Sequence, residues 1–122
     1  MPVPILKHRD YLIASIQSAL SDVEVLELRD EITDRVGETR ARGVIVDVAG
    51  MDVIDSFVAR SLQTIALTAR LRGAETVIVG IRPDVAVAMV QFDMNLEPLR
   101  TALDLEEGLS LLDDSIGRGN EH

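Results

Sequence analysis

The residues best suited to chemistry are the acids and the serine of one short segment. Asp47, Asp52, Asp55 and Ser56 place three carboxylates and one hydroxyl within ten positions. An apolar, β-branched run typical of a buried strand precedes them, and a helical pattern follows. In open α/β sheets, functional loops lie beyond the carboxyl ends of strands. We therefore expect this strand-to-helix crossover to be the functional site.

Ser56 is the first candidate in this segment, as a residue that accepts a phosphate. It is predicted at or near a helix N-terminus, where free N–H groups and the helix dipole favour added negative charge. A phosphoserine carries roughly −1.5 to −2 charges at neutral pH. The carboxylates of Asp52 and Asp55 would oppose that charge, so phosphorylation would alter docking while the helix end tolerates it. The alternative is that Asp55-Ser56 is an ordinary helix-capping pair.

Enzymatic interpretations find little support in the rest of the chain. The acids match no calcium-loop spacing, so we predict no metal site. A phospho-accepting Asp47 of a receiver-like domain would need a lysine after a late strand, yet the only lysine, Lys7, lies in the first strand. His8 and His122 are the only histidines, and no nucleophile-elbow, Walker or dinucleotide-binding motif occurs. We predict a protein that is not an enzyme and has no cofactor.

Composition narrows the class of partner. The chain has 122 residues, enough for one domain, and a net charge of −9. Such an acidic protein repels nucleic acid and anionic membranes, so we expect neither as a partner. Cysteine is absent, and no apolar run approaches the ~20 residues needed to cross a bilayer. We expect a cytoplasmic protein whose partners present basic surfaces.

The elements that must position the site follow from hydrophobic periodicity, and their order is β-β-α-β-α-β-α-β-α. This alternation predicts an α/β fold with a mixed, mostly parallel sheet of four to five strands covered by about four helices. We place one domain at residues 1–115 and a flexible tail at 116–122. Strands are predicted at residues 5–8, 11–17, 44–48, 76–81 and 101–103, and helices at 23–42, 56–73, 83–93 and 105–115.

The third predicted helix is apolar nearly all round. A helix of this kind is buried on more than one side. One side can face the sheet, and the remainder favours either an oligomer contact through Val87, Val90 and Gln91 or a cover formed by the last helix. Periodicity alone leaves both alternatives open.

Three segments carry a resemblance to a known family: Gly43–Val48, Val53–Phe57 and Leu71–Glu75. They resemble STAS domains, the anti-sigma-factor antagonist family. Further segments resemble the short scaffold proteins of the bacterial stressosome within that family. These segments are Pro4–Lys7, Ala14–Gln17, Pro83–Val87 and Thr101–Leu109. The likeness spans about residues 3 to 112 and so implies a single STAS-like domain.

The resemblance implies a non-catalytic scaffold and switch. An RsbT-type serine kinase would be sequestered by the protein, would phosphorylate Ser56 and would then be released. Ser61 and Thr64 are weaker phosphorylation candidates. A PP2C-type phosphatase would reverse the modification, and an RsbR-type sensory paralogue would join the chain, as a homodimer, in a large stress-response assembly. The alternative within the family is a free antagonist that binds an anti-sigma kinase directly and so releases a sigma factor.

The loop and the resemblance together define an expected partner-binding surface. It comprises the acids, the serine and the first turn of the following helix. The predicted contacts are Asp47, Met51, Asp52, Asp55, Ser56, Phe57 and Arg60.

Overall fold

Nine elements make up the part of the chain that the structure, a computed structural model, describes, namely residues 3–116. Their order is the predicted one. The strands are β1 (Ile5–His8), β2 (Tyr11–Ser15), β3 (Gly43–Asp47), β4 (Glu75–Val79) and β5 (Arg100–Ala102). The helices are α1 (Asp22–Thr39), α2 (Ser56–Leu71), α3 (Pro83–Gln91) and α4 (Leu105–Ile116).

The five strands form one sheet in the order β1-β2-β3-β4-β5. The β1–β2 hairpin is antiparallel, whereas β2, β3, β4 and β5 run parallel. Parallel neighbours require crossover connections, and the helices supply them. The predicted α/β class and mixed, mostly parallel sheet are therefore confirmed.

Alternate side chains of β3 contribute to two hydrophobic clusters, one on each face of the sheet. Val44 and Val46 face the cluster that contains the buried sides of α1, α2 and α3. Ile45 points to the opposite face, where it packs with Leu112 of α4. Because β3 is buried on both faces, its continuous apolar sequence is the expected one for a central parallel strand.

Helix α1 begins as its sequence indicates but ends earlier than predicted. The Ser21 side chain accepts a hydrogen bond from the Glu24 N–H, and the Glu24 carboxylate accepts one from the Ser21 N–H, which completes a capping box. The helix ends where Arg40 adopts a left-handed conformation with φ of 54°. The predicted end at residue 42 is wrong, and Gly43, the glycine that follows it and that suggested a helix end there, is the first residue of β3.

Other boundaries differ from prediction by one or two residues. Strand β2 stops at Ser15, and α2 and α3 stop at Leu71 and Gln91. Ile116, predicted to open the tail, is the last residue of α4. Positions 117–122, the rest of that predicted tail, lie outside the described residues.

Helix α3 contributes to the larger core through one side only. Val85 and Met89 belong to the larger core cluster, whereas Val87 and Val90 are 56% and 79% exposed. Helix α4 lies on the other face of the sheet, against β3, β4 and β5. The alternative that the last helix covers α3 is therefore wrong. Within residues 3–116, no helix is both long and apolar enough to span a membrane.

Candidate functional site

The loop between β3 and α2 leaves the centre of the sheet at its carboxyl edge. The Asp47 carboxylate accepts a hydrogen bond of 2.9 Å from the Ala49 N–H and so fixes the first turn of the loop. A Cβ at Gly50 would lie 2.5 Å from the Ile16 carbonyl oxygen, so only glycine permits this close approach to the chain after β2. Asp47 is half-buried and shapes the loop from within.

Two apolar anchors hold the loop on the domain. Met51 and Ile54 are each 3% exposed and belong to the main core cluster. Between them, Asp52 and Val53 are exposed. The prediction that Met51 contacts a partner is therefore wrong, because its side chain is buried in the core.

Asp55 and Ser56 have different roles at the start of α2. Asp55 is the N-cap, and its carboxylate accepts a 2.9 Å hydrogen bond from the Val58 N–H. Ser56 is the first helical residue, is exposed, and makes no side-chain hydrogen bond within residues 3–116. The capping interpretation thus applies to Asp55 and leaves the Ser56 hydroxyl available for modification.

The surroundings of Ser56 combine helix-end polarity with one cation. The N-terminus of α2 presents free backbone N–H groups that favour an added anion. Arg60 lies one turn further along, is exposed, and forms no ion pair within the described range. Residues four apart share a helix face, so Arg60 can reach a group attached at Ser56. Phe57 is half-buried and packs against the core.

The weaker phosphorylation candidates are less well placed. Ser61 is only 6% exposed, so the folded domain does not present its hydroxyl to a kinase. Thr64 is exposed, but its hydroxyl donates a 3.0 Å hydrogen bond to the Arg60 carbonyl. Neither residue lies in the loop.

An apolar cleft of about 380 Å³ opens beside Ser56, between the loop and α3. Sequence analysis placed Ser56 and α3 separately and missed that they share this cleft. The only signal of the cleft in the sequence was an apolar residue in the loop, Val53, and another at the end of the helix, Phe92, where hydrophobic periodicity does not require them. Both are exposed, at 65% and 74%. The lining residues are Asp52, Val53, Ile54, Asp55, Ser56, Val85, Ala88, Phe92 and Met94.

The geometry disfavours phosphoryl transfer to Asp47. Lys7, the only lysine of the chain, donates its ammonium hydrogen bond to the Arg9 carbonyl. That contact lies at the amino edge of the parallel strands, whereas Asp47 ends β3 at the carboxyl edge. No group of three or more potential metal ligands occurs among the described residues.

Comparison with known proteins identifies the family. The family model described as the STAS domain matches residues 3–108. The RsbT co-antagonist protein RsbRA of Bacillus subtilis is 28% identical over 82 residues, which cover 67% of this chain and 30% of that protein. The chain thus spans about a third of the length of that relative.

Solved structures extend the likeness to the whole fold. A structure of RsbS from Moorella thermoacetica is 33% identical and has a TM-score of 0.79, with 93% of this chain and 96% of that chain covered. A chain from a structure of the stressosome, described as a signal integration and transduction hub, is 34% identical with a TM-score of 0.76. That alignment covers 92% of this chain and 97% of the stressosome chain.

Proposed function

Because the chain belongs to the STAS domain family, we propose that it is a non-catalytic partner-switching protein of a bacterial stress response. It acts as a cytoplasmic stressosome scaffold that binds and sequesters an RsbT-type serine kinase. Phosphorylation of Ser56 by that kinase releases it, and a PP2C-type phosphatase resets the switch. An RsbR-type sensory paralogue joins it in the assembly. The likeness over nearly the full length of RsbS supports this role.

One observation carries the proposal: the exposed, unbonded Ser56 hydroxyl stands at the first position of α2 and on the rim of the apolar cleft. A kinase can reach this hydroxyl without unfolding the domain. A partner that fills the cleft must also cover the serine. Modification and docking therefore compete for the same place.

The expected effect of the phosphate follows from charge and solvation. A dianion brought into contact with the apolar wall formed by Val85, Ala88 and Phe92 would lose hydration there, because these side chains offer it no hydrogen bond. It would also add negative charge beside Asp52 and Asp55 and draw in Arg60. Each effect weakens docking of a partner on this surface while leaving the core unchanged.

The test combines mass spectrometry with binding. The chain is incubated with the RsbT-type kinase and ATP, the phosphorylated residue is located, and kinase affinity is measured before and after modification. We expect phosphate on Ser56 and an affinity loss of at least about tenfold, equivalent to ~1.4 kcal/mol. Thr64→Ala is the matched control on the same helix and should behave as the parent, whereas Ser56→Ala should bind the kinase but never release it.

Phosphate on another residue, or equal affinity of the two forms, would refute the switch. The size of the particle distinguishes the scaffold role from the free-antagonist role. A scaffold forms an assembly of megadalton order with the sensory paralogue, whereas a free antagonist forms only a small complex with its kinase. Light scattering of the chain mixed with that paralogue distinguishes them.

A further inference from the structure

Five arginines gather at the end of the domain opposite Ser56. The parallel strands begin at this end, and α1 and α2 finish there. The chain as a whole has 21 acidic and 12 basic residues, so this concentration of positive charge is unusual for it. The arginines are Arg9, Arg40, Arg42, Arg70 and Arg72.

Three of them line a single cleft of about 570 Å³. Arg40, Arg42 and Arg72 surround it together with Gly37 and Leu71. A Cβ at Gly37 would lie 2.1 Å from a guanidinium nitrogen of Arg72, so the absence of a side chain lets this guanidinium lie against α1. The cation is thereby held at the cleft.

None of these three guanidinium groups forms an ion pair with another described residue. Within residues 3–116 they form no ion pair, whereas Arg29, Arg35 and Arg82 each pair with a carboxylate. Three like charges around one cleft repel each other, and the helix C-termini offset this only in part. Leu71 beside them is 88% exposed. The surface therefore fits a partner that brings both carboxylates and an apolar side chain.

The same chain offers that combination at its other end. Leu103 and Leu105 are 81% and 39% exposed, and the acids between and after them point to solvent. Asp104 accepts a 2.9 Å hydrogen bond from the Glu107 N–H, and Glu107 accepts one of 2.7 Å from the Leu103 N–H. These bonds hold the segment Leu103–Glu107 in one conformation. No basic residue occurs in α4 itself, and the one guanidinium bonded to it, that of Arg100, lies at its far end on Ser115.

We propose that copies of this chain associate head to tail, with the Leu103–Glu107 segment of one copy seated on the arginine cleft of the next. Both surfaces belong to the same domain but lie at opposite ends, since Leu103 follows the carboxyl end of β5 and Arg42 precedes β3. A contact between two different patches does not close in a pair and can grow into rings or chains. A bare anion is the poorer occupant, because the carbonyl ends of two helices meet at the cleft.

This contact extends the assembly part of the proposed function. It does not involve Ser56, and the experiment that tests it measures only the self-association of this chain. Kinase control can therefore stand if the contact fails, and the contact can stand if kinase control fails.

Sedimentation velocity over a range of protein concentrations tests the contact. We expect the association constant of the parent chain to fall as salt is raised from about 50 mM to about 500 mM, because screening weakens exposed ion pairs. Arg72→Glu and Glu106→Arg should each lower it by about tenfold or more at low salt. Arg29→Glu makes the same change in net charge as Arg72→Glu, away from both surfaces, and should leave the association constant unchanged.

Mixing the two variants gives the decisive measurement. An Arg72→Glu chain keeps its acidic end and a Glu106→Arg chain keeps its arginine end, so the mixture should show a salt-sensitive association that neither variant shows alone. The double variant, with the charges exchanged, should regain self-association. If Arg72→Glu fails to fold by circular dichroism, Arg42→Glu takes its place. Association unaffected by either reversal or by salt, or a mixture that shows no salt-sensitive association, would overturn the proposal.

Discussion

Tyr11 couples the sheet to the last helix through a single phenol. Its side chain is 5% exposed, and its hydroxyl donates a 2.5 Å hydrogen bond to the Asp113 carboxylate of α4. Burial, the hydrogen bond and the nearby negative charge of Asp113 raise the pKa of Tyr11 from 10.0 to about 12. The folded state thus favours the neutral phenol, and this contribution is complete below pH 10.

A pH series should reveal this contribution. As the pH rises from about 10 to about 12, the unfolded chain ionises at Tyr11 before the folded one does, so the free energy of unfolding falls. Tyr11→Phe should be less stable than the parent below pH 10 because it lacks the hydrogen bond, and the difference between the two should shrink across that window. Urea unfolding at several pH values measures it. A constant difference would contradict the assignment.

The functional loop shows how far residue types alone can lead. An acid and a serine before an apolar helical run predicted a helix start, and the structure has one there. Sequence could not divide the roles between Asp55 and Ser56, because either side chain can cap a helix. It also placed Met51 on the surface, since nothing in its neighbours distinguishes a buried loop anchor from an exposed one.

Helix α4 lies so close to the sheet that one of its positions tolerates no side chain. A Cβ at Gly108 would lie 2.7 Å from Cγ1 of Val79, a stiff side chain with no exposed surface. Alanine favours a helix over glycine by about 1 kcal/mol. Overpacking of a core commonly costs about 1–3 kcal/mol, so we expect the clash to prevail.

We therefore predict that Gly108→Ala lowers the free energy of unfolding by about 1 kcal/mol, measured by urea denaturation. Ser110→Ala, at an exposed position of the same helix, should cause no loss. The Gly108→Ala penalty should also shrink in a Val79→Ala background, where room is made for the new methyl group. A Gly108→Ala chain as stable as the parent would show that α4 can shift outward without cost.

The order of the elements could be predicted because helices and strands differ in hydrophobic periodicity. The ends of the elements depend instead on contacts with residues elsewhere in the chain. Val25, Leu28, Ile32 and Val36 repeat at helical spacing, and all four are buried on α1. Its end was misplaced because Arg40, not the nearby Gly43, takes the left-handed conformation. Gly43 instead leaves room for Leu112, whose Cδ1 would lie 2.8 Å from a Cβ there. That contact joins residues far apart in the sequence.

At the scale of the whole molecule, the two helix layers are unequal. Three helices cover one face of the sheet and α4 alone covers the other. Periodicity predicts which side of a helix is apolar but not which face of the sheet the helix crosses to, so the sequence left the neighbour of α3 open. With α4 on the other face, the apolar surface of Val87 and Val90 has no cover within the described chain.

The oligomer contact through Val87, Val90 and Gln91 of α3, which the sequence left as one alternative, can be tested separately from the arginine cleft. Val90 is 79% exposed, so Val90→Glu should change the free energy of unfolding by less than about 0.5 kcal/mol. In a dimer it would bury two like charges near Gln91, and association should be lost. Val23→Glu, at a 64% exposed position of α1, is the matched control.

The α3 contact and the head-to-tail contact should differ in how their association depends on salt. An apolar contact through α3 persists or strengthens as salt rises, whereas the head-to-tail contact weakens. In sedimentation velocity, Val90→Glu should therefore remove only the salt-resistant association and Arg72→Glu only the salt-sensitive one. A two-fold contact through α3 alone stops at a pair, so growth beyond a pair needs a contact of the head-to-tail kind. If Val90→Glu leaves the salt-resistant association intact, that contact lies elsewhere than on α3.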